Sequence, residues 1–126
     1  MSQEKKTVCV DLDGVLASYD GWKGPTVIGE PLSGAVDFVR ELAEKFEVVV
    51  HTTRANTDEG RAAIEAWLQE HGFTGVSDLV GKPMAVAYVD DRSVRCVPQE
   101  LLPEFRTKAF STALKRVQWL ALPRPR

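Results

Sequence analysis

The sequence predicts an α/β fold with three layers, in which a parallel sheet is flanked by helices in a Rossmann-like arrangement. Short apolar runs alternate along the chain with segments whose apolar residues recur at helical spacing. Strands and helices that alternate in this way form parallel sheets covered on both faces. The length of 126 residues is typical of one compact domain. We therefore expect a single domain over residues 1–122 and a short disordered tail at residues 123–126.

The first half of the chain contains two predicted strands and two predicted helices. Residues 7–10 are β-branched and apolar, which predicts a buried strand that ends at Asp11. Apolar residues at helical spacing from Leu32 predict an amphipathic helix, with Pro31 suited to its first position. Phe46–Thr52 predicts a second buried strand. A second helix is expected to begin after Thr57, whose hydroxyl is a typical N-cap.

The second half is predicted to add another strand and a last helix. Residues 85–89 form a continuous apolar run, which predicts the third strand, and a weaker strand is predicted around Leu79 and Val80. Apolar residues repeat with helical period over residues 110–120, which predicts a helix that ends before Pro123.

The composition excludes several functional classes. Apolar residues make up 44% of the chain and charged residues 27%, and the formal net charge is −2. These values exclude a disordered chain and give no broad basic surface for nucleic acid. The apolar runs are far shorter than the roughly 20 residues of a membrane span, and the N-terminus lacks the apolar core of a secretory signal. We expect a cytoplasmic protein with no membrane partner.

Polar side chains follow each of the three main predicted strands. They are Asp11 with Asp13, Thr52 with Arg54, and Asp90 with Asp91. Because the ligand site of an open α/β sheet lies beyond the carboxyl ends of its strands, these residues should converge on one crevice. Lys82 has a side chain long enough to reach the same place.

The residue types in this crevice favour phosphate chemistry. Carboxylates that meet at one site repel each other unless a cation lies between them, and hard oxygen ligands favour Mg²⁺. A lysine, an arginine and a threonine hydroxyl around such carboxylates are typical of a site that binds phosphate. The sequence therefore predicts a phosphate-handling centre with Mg²⁺ as its cofactor.

Four motifs resemble those of the haloacid dehalogenase superfamily of phosphohydrolases, and they occur in the order found in that family. They are VCVDLDGVLA, VVVHTTR, the lysine of GKP, and AVAYVDDR. The resemblance covers residues 8–92, about two thirds of the chain. It implies a magnesium-dependent phosphomonoester hydrolase that forms an aspartyl phosphate.

The resemblance also implies a catalytic set. Asp11 would attack phosphorus, and Asp13 would protonate the leaving oxygen and later deprotonate the attacking water. Two residues at positions i and i+2 of an extended strand project to the same side, which suits this division of roles. Thr52 would donate its hydroxyl to the phosphoryl group, and Lys82 would offset the accumulating negative charge.

Substrate binding is expected from residues close to the catalytic set. Leu12 would offer its backbone, and Gly14 would let the chain turn closely around the phosphate. Thr53 and Arg54 are further candidates, with Arg54 gripping the phosphate bidentately or, alternatively, lying exposed in a loop. Trp22 could stack on a base or sugar, although packing over the protein's own core is the commoner role of a loop tryptophan.

The magnesium ligands implied by the resemblance are Asp11, the carbonyl of Asp13, and one carboxylate of the pair Asp90 and Asp91. The sequence alone leaves the choice within this pair open. We favour Asp91 as the direct ligand, because the second position of the pair coordinates in related sites, with Asp90 turned toward Lys82 or a metal-bound water.

The spacing of the motifs leaves no room for a cap domain over the site. Only 17 residues separate Asp13 from Pro31, and 27 separate Arg54 from Lys82. The site should therefore be open, with residues 19–24 as the nearest flap. An open site accepts a phosphorylated small molecule or a larger substrate such as a nucleic-acid end. Association with a second copy of the chain stays open.

Two alternative functions share part of the same residue set. A phosphotransferase of the same superfamily has the whole catalytic set and differs in whether water or another hydroxyl accepts the phosphoryl group. A receiver-like signalling domain also gathers an acidic pair, a phosphorylated aspartate, a threonine and a lysine at strand ends. In a receiver the acidic pair comes from the first strand, whereas here Asp90 and Asp91 come last, and this order argues against it.

Overall fold

The computed structural model describes residues 5–123. Within that range the strands are β1 (Lys6–Val10), β2 (Phe46–Thr52) and β3 (Val76–Gly81). The α-helices are α1 (Ala35–Ala43), α2 (Asp58–Glu70) and α3 (Pro103–Leu120). Among residues 5–123, no helix combines the length and the apolar character that a membrane span requires. Of the predicted tail, residues 124–126 lie outside the described residues.

The three strands form one parallel sheet in the order β1-β2-β3. Val10 pairs with Val50, and Thr52 pairs with Gly81, so the carboxyl ends of all three strands lie along one edge. The chain is thus a small α/β protein with a three-strand parallel sheet flanked by helices, which is consistent with a Rossmann-like layout.

The core lies around the central strand β2. Val48 and Val50 are fully buried, because β2 has a neighbouring strand on each side and both side chains lie on its buried face. Val39 of α1 and Ile64 of α2 are also fully buried. Burying side chains of this size is worth roughly 1.5–3 kcal/mol each. The site therefore stands at the edge of a well-packed sheet.

Several sequence predictions are confirmed at the level of single residues. The predicted strand Phe46–Thr52 matches β2 at both ends. Strand β1 extends the predicted run by one residue, but Thr7 and Cys9 are exposed, so the prediction that this strand is buried holds only for its last residue, Val10. The hydroxyl of Thr57 accepts a hydrogen bond from the backbone N–H of Gly60 at 3.1 Å, as expected of an N-cap. Helix α2 ends at Glu70, and Gly72, two residues later, has a φ of 74°, which is typical of a glycine that follows a helix.

The starts of the other two helices differ from the prediction. Helix α1 begins at Ala35 after Gly34, whose φ is 88°, and Pro31 instead forms an isolated bridge with Ala17. Helix α3 begins at Pro103, seven residues before the predicted start. A proline at the first helical position has no N–H to leave unpaired, which makes Pro103 a favourable start.

The prediction of a third strand over residues 85–89 is wrong, and the weaker candidate around Leu79 is the third strand, β3. Residues 85–89 form an irregular segment in which the side chains of Val86 and Val89 are exposed. The hydroxyl of Tyr88 donates a hydrogen bond to the carbonyl of Pro83, which holds the segment against its own loop. Lys82 consequently follows the third strand rather than preceding it.

Candidate active site

A cavity of about 600 Å³ opens at the carboxyl ends of the three strands. Its polar lining comes from all three strand ends, namely Asp11, Asp13, Thr52, Thr53, Arg54, Asn56, Thr57 and Lys82. Three aromatic rings, those of Tyr19, Trp22 and Tyr88, line the same cavity. The parallel sheet thus brings together residues that are up to 77 positions apart in the chain.

Asp11 lies directly after β1 and faces Lys82. Its Oδ2 atom is 3.9 Å from the Nζ atom of Lys82, and its Oδ1 atom accepts a hydrogen bond from the backbone N–H of Leu12 at 2.9 Å. Burial raises the pKa of the Asp11 carboxyl above its usual value, and the positive charge of Lys82 partly opposes that rise. The ionised carboxylate of Asp11 is therefore partly desolvated, which suits a nucleophile.

Asp13 is paired with Arg54. The Nε atom of Arg54 donates to Oδ2 of Asp13 at 2.8 Å, and its Nη2 atom donates to Oδ1 at 3.1 Å. The remaining nitrogen, Nη1, donates to the carbonyls of Gly24 at 3.0 Å and Pro25 at 3.2 Å. Arg54 is only 3% exposed, so the alternative of an exposed loop arginine is wrong.

These contacts change what Arg54 can do. Four of its N–H donors already have protein acceptors, namely both carboxylate oxygens of Asp13 and the carbonyls of Gly24 and Pro25. A bidentate grip on a phosphate would require the pair with Asp13 to open. Phosphate binding by Arg54 stays a prediction, and its contacts support a role in positioning Asp13 and the loop at residues 24–25.

Thr52 and Thr53 stand at the end of β2. Thr52 is 1% exposed, and its hydroxyl oxygen accepts a hydrogen bond from the backbone N–H of Arg54 at 3.2 Å. The hydroxyl proton of a threonine can still be donated when the oxygen accepts, so Thr52 keeps a donor for a phosphoryl oxygen. Thr53 opens the short 3₁₀ turn Thr53–Asn56 and lines the cavity.

The turn after Asp13 depends on a glycine. Gly14 has a φ of 83°, a backbone conformation that residues other than glycine adopt only with steric strain. Its N–H donates to the carbonyl of Ala17 at 2.8 Å, while the N–H of Leu12 donates to Asp11. Because both N–H groups have protein acceptors, phosphate binding by Leu12 and Gly14 stays a prediction.

Aromatic rings cover the two cations of the site. Trp22 lies over Arg54, with 4.9 Å between the ring centroid and Cζ, and Tyr88 lies over Lys82, with 4.3 Å between the ring centroid and Nζ. Trp22 therefore contacts a buried charge rather than covering the apolar core. The sequence did not single out Tyr88 for the site, because a residue inside a predicted strand is expected to pack in the sheet.

Asp90 and Asp91 lie in the irregular segment that follows residues 85–89, outside the sheet. Asp90 lines a second cavity of about 500 Å³ together with Asp11 and His51, and its Oδ1 atom accepts a hydrogen bond from the backbone N–H of Arg92 at 2.9 Å. Asp91 is exposed. In the described part of the chain, no three carboxylate, histidine or cysteine side chains are grouped so that they could hold a metal ion. The residues as arranged do not fit a preformed Mg²⁺ site.

The neighbourhood of His51 was not anticipated from the sequence. His51 lies in the second cavity beside Asp11 and lowers the pKa of that carboxyl slightly, against the larger effect of burial. The alternation of side chains along β2 explains its position on the opposite face from Thr52.

Comparisons with protein-family models, with curated proteins and with solved structures found no match to this chain. The resemblance to the phosphohydrolase family therefore rests on the four sequence motifs alone.

Proposed function

We propose that this chain is a phosphomonoester hydrolase that works through an aspartyl phosphate on Asp11, with the three-layer Rossmann-like fold of a small, capless haloacid dehalogenase phosphatase. One observation carries the proposal. Two carboxylates follow β1, and each stands beside a cation from another strand end, Lys82 near Asp11 and Arg54 on Asp13. Carboxylates two residues apart, with positive charge on both sides, suit transfer of a dianionic group.

In the first step, an oxygen of Asp11 attacks phosphorus and the bond from phosphorus to the ester oxygen breaks. Asp13 gives a proton to the departing oxygen, so the products are an alcohol and an acyl phosphate on Asp11. The partial exposure of Asp11 supports this role, because the carboxylate can be reached from the cavity.

In the second step, a water molecule attacks the phosphorus of the aspartyl phosphate while Asp13 takes its proton. The bond from phosphorus to the Asp11 oxygen breaks, which releases inorganic phosphate and restores the carboxylate. Each oxygen of Asp13 bonded to Arg54 keeps a second lone pair, with which it can accept this proton. Arg54 holds the carboxyl in place during both steps.

Thr52 and Lys82 stabilise the charge that moves during these steps. The Thr52 hydroxyl can donate to a phosphoryl oxygen, and the ammonium of Lys82 offsets the charge near Asp11. A partly buried lysine close to the nucleophile also limits the electrostatic cost of bringing a phosphate dianion to a carboxylate.

A requirement for magnesium is part of the proposal, although the described residues do not form a ready site for it. Bound Mg²⁺ would neutralise charge on the phosphoryl group. Asp11 is one candidate ligand, and the others, Asp90 and Asp91, are in the irregular segment outside the sheet. That segment would have to approach Asp11 for the carboxylates to share an ion.

The proposal is tested by measuring inorganic phosphate released from a panel of phosphomonoesters, with Mg²⁺ and with EDTA. Asp11→Asn should lower turnover by roughly a thousandfold or more, because the amide cannot form the phosphoenzyme. Asp78→Asn is a matched control, since the Asp78 carboxylate also accepts a hydrogen bond from the next backbone N–H but lies outside this cavity. Asp78→Asn should keep full activity.

Binding of an analogue of the aspartyl phosphate separates this mechanism from activation of water by a carboxylate. Beryllium fluoride should bind to the wild-type carboxylate and not to Asp11→Asn. Retention of more than a few per cent of wild-type turnover by Asp11→Asn, with contamination excluded, contradicts the mechanism. Transfer of phosphate to an added alcohol in place of release would identify a phosphotransferase.

A further inference from the structure

The cavity contains two stacked pairs of a cation and an aromatic ring. Arg54, which holds Asp13, is covered by Trp22, and Lys82, which faces Asp11, is covered by Tyr88. Both contacts are within the roughly 6 Å over which a cation is attracted to a ring face. Each cation thus contacts both a ring and a carboxylate, and this shared contact holds the ring close to the carboxylate.

The two rings also present free surface to the cavity. Trp22 is 58% exposed and Tyr88 is 46% exposed, and the ring of Tyr19 adds a third aromatic side chain to the lining. Exposed apolar surface that is gathered at a concave site is characteristic of ligand binding. A cation on one face of each ring leaves the other face available to a planar partner.

Most polar side chains beside these rings in the cavity already form hydrogen bonds within the protein. Arg54 donates to Asp13 and to two carbonyls, the amide nitrogen of Asn56 donates to the carbonyl of Lys82 at 2.9 Å, and the Thr57 hydroxyl accepts from Gly60. Recognition of a sugar through its hydroxyls needs available donors and acceptors. The wall instead offers aromatic faces, which suit a flat ring.

The size of the cavity and the charge of the chain limit the substrate further. A volume of about 600 Å³ lies within the range of roughly 300–1,000 Å³ found for whole small-molecule ligands, so it holds more than a phosphate group. The net charge of −2 gives no extended basic track for a long polyanion. Both observations favour a small ester over a nucleic-acid strand.

We propose that the substrate is a small phosphomonoester whose alcohol carries a planar ring system, such as a nucleoside monophosphate, with that ring stacked on Trp22. This inference rests on the proposed phosphatase function and adds the substrate class. The phosphate lies at Asp11 and Asp13, and the ring is bound on the aromatic side of the cavity.

The test compares adenosine 5′-monophosphate with ribose 5-phosphate, which share the phosphorylated carbon and differ in the base. We expect kcat/KM to be roughly 5- to 150-fold higher for the nucleotide, the range given by stacking one base on one aromatic side chain. Trp22→Ala should reduce this ratio to about 2 or less, and Trp22→Phe should restore most of it because a ring face is kept.

Trp119→Ala is the matched control for Trp22→Ala. Trp119 is also a half-exposed tryptophan over an arginine, at 4.4 Å from Cζ of Arg116, but it lies on α3 away from the cavity. The ratio between the two substrates should be unchanged in Trp119→Ala. An equal fall of the ratio in both variants would overturn the assignment of the ring site to Trp22.

The outcomes separate the substrate class from the chemistry. Hydrolysis of both esters with equal kcat/KM overturns the substrate class and leaves the phosphatase function intact. If neither ester is hydrolysed, calorimetric titration of Asp11→Asn decides, and equal affinity for the two compounds overturns the ring site. A 3′-phosphorylated oligonucleotide that is hydrolysed more than tenfold faster than the mononucleotide overturns the small-substrate assignment.

Discussion

Arg54 donates a hydrogen bond to each carboxylate oxygen of Asp13, at 2.8 and 3.1 Å, across 41 positions of the sequence. The same guanidinium donates to the carbonyls of Gly24 and Pro25. A planar fork with five donors can satisfy this set of acceptors, and a lysine ammonium cannot reproduce its geometry. Arg54 therefore fixes both the expected acid–base residue and the loop that carries Trp22.

Arg54→Lys should be destabilising and should impair catalysis. Loss of the bidentate contact with Asp13 should lower the free energy of unfolding by about 3 kcal/mol, the lower end for a broken buried ion pair, because Asp13 keeps some contact with solvent. Urea denaturation measures this change. Misplacement of Asp13 should also reduce kcat more for alkyl esters than for aryl esters, whose leaving groups need less protonation.

A second arginine that forms an ion pair serves as a control for the loss of stability expected in Arg54→Lys. Arg40 pairs with Asp37 on the exposed face of α1, and Arg40→Lys should change the free energy of unfolding by less than about 0.5 kcal/mol. Similar losses in Arg40→Lys and Arg54→Lys would contradict the buried pair. Equal losses of kcat on alkyl and aryl esters in Arg54→Lys would remove the link between Arg54 and proton transfer.

Asp11→Asn should stabilise the protein at neutral pH in metal-free buffer while it abolishes turnover. Burial raises the pKa of Asp11 above its ordinary value of 3.8, so the folded protein binds this proton more tightly than the unfolded chain does. Wild-type stability is then lost as the pH rises from that value through the raised pKa. The neutral amide avoids this loss.

The stability difference between Asp11→Asn and the wild type should therefore depend on pH. It should be largest near pH 7 and should shrink toward pH 4, where the wild-type carboxyl becomes protonated as well. Thermal melts in EDTA at several pH values measure it. A variant that is less stable than the wild type at pH 7 would contradict the desolvation of Asp11 in the folded state.

The sequence predicts the central part of the fold well, because local patterns there agree with tertiary packing. Strand β2 is a mostly apolar run whose alternate residues Phe46, Val48, Val50 and Thr52 are buried, and α2 has its own cap at Thr57. The third strand was misassigned for a physical reason. Hydrophobicity favours residues 85–89 over Val76–Gly81, which contains Ser77 and Asp78, but an edge strand needs only one buried position, here Leu79.

The sequence predicts which residues of the candidate site lie close together only where the ends of the strands determine their positions. Parallel pairing places Asp11, Thr52 and Lys82 at one edge of the sheet, and that convergence follows from topology. The topology does not determine which side chains form pairs. Arg54 binds Asp13 because the side chains of two loops pack together. Tyr88 reaches Lys82 for the same reason, by folding back over its own loop.

Gly60→Ala should destabilise the protein, although alanine is usually preferred to glycine within a helix. A Cβ atom at Gly60 would lie 1.9 Å from the carbonyl oxygen of Arg54, which is backbone and cannot move aside cheaply. We expect a loss of about 2 kcal/mol or more in the free energy of unfolding, within the range for overpacking. The start of α2 must shift to relieve the contact, and Arg54 would move with it.

The control for this substitution is Ala66→Gly, at an exposed position of the same helix. It should cost about 1 kcal/mol through the ordinary preference of helices for alanine. Urea denaturation of both variants gives the comparison. An increase in stability for Gly60→Ala would contradict the close approach of α2 to the Arg54 carbonyl.

Magnesium should be required for turnover and should order the segment that carries Asp90 and Asp91. Residues 85–89 have the composition of a buried strand but lie outside the sheet. Within residues 5–123, β1 is an edge strand of that sheet. An ion shared by Asp11 and one of the two later aspartates would draw this segment toward β1. Hydrogen exchange of residues 85–91 should therefore slow on addition of Mg²⁺, and EDTA should reverse the change.

Two variants assign the ligand within the acidic pair. The resemblance to the phosphohydrolase motifs predicts that Asp91→Asn weakens Mg²⁺ binding, measured by calorimetry, more than Asp90→Asn does. The opposite order would assign the role to Asp90, which already lines one cavity with Asp11. Both variants should lose the slowing of hydrogen exchange if the two carboxylates act together. Full activity in EDTA, with exchange of residues 85–91 unaffected by Mg²⁺, would remove the metal from the mechanism and leave Lys82 as the cation beside the nucleophile.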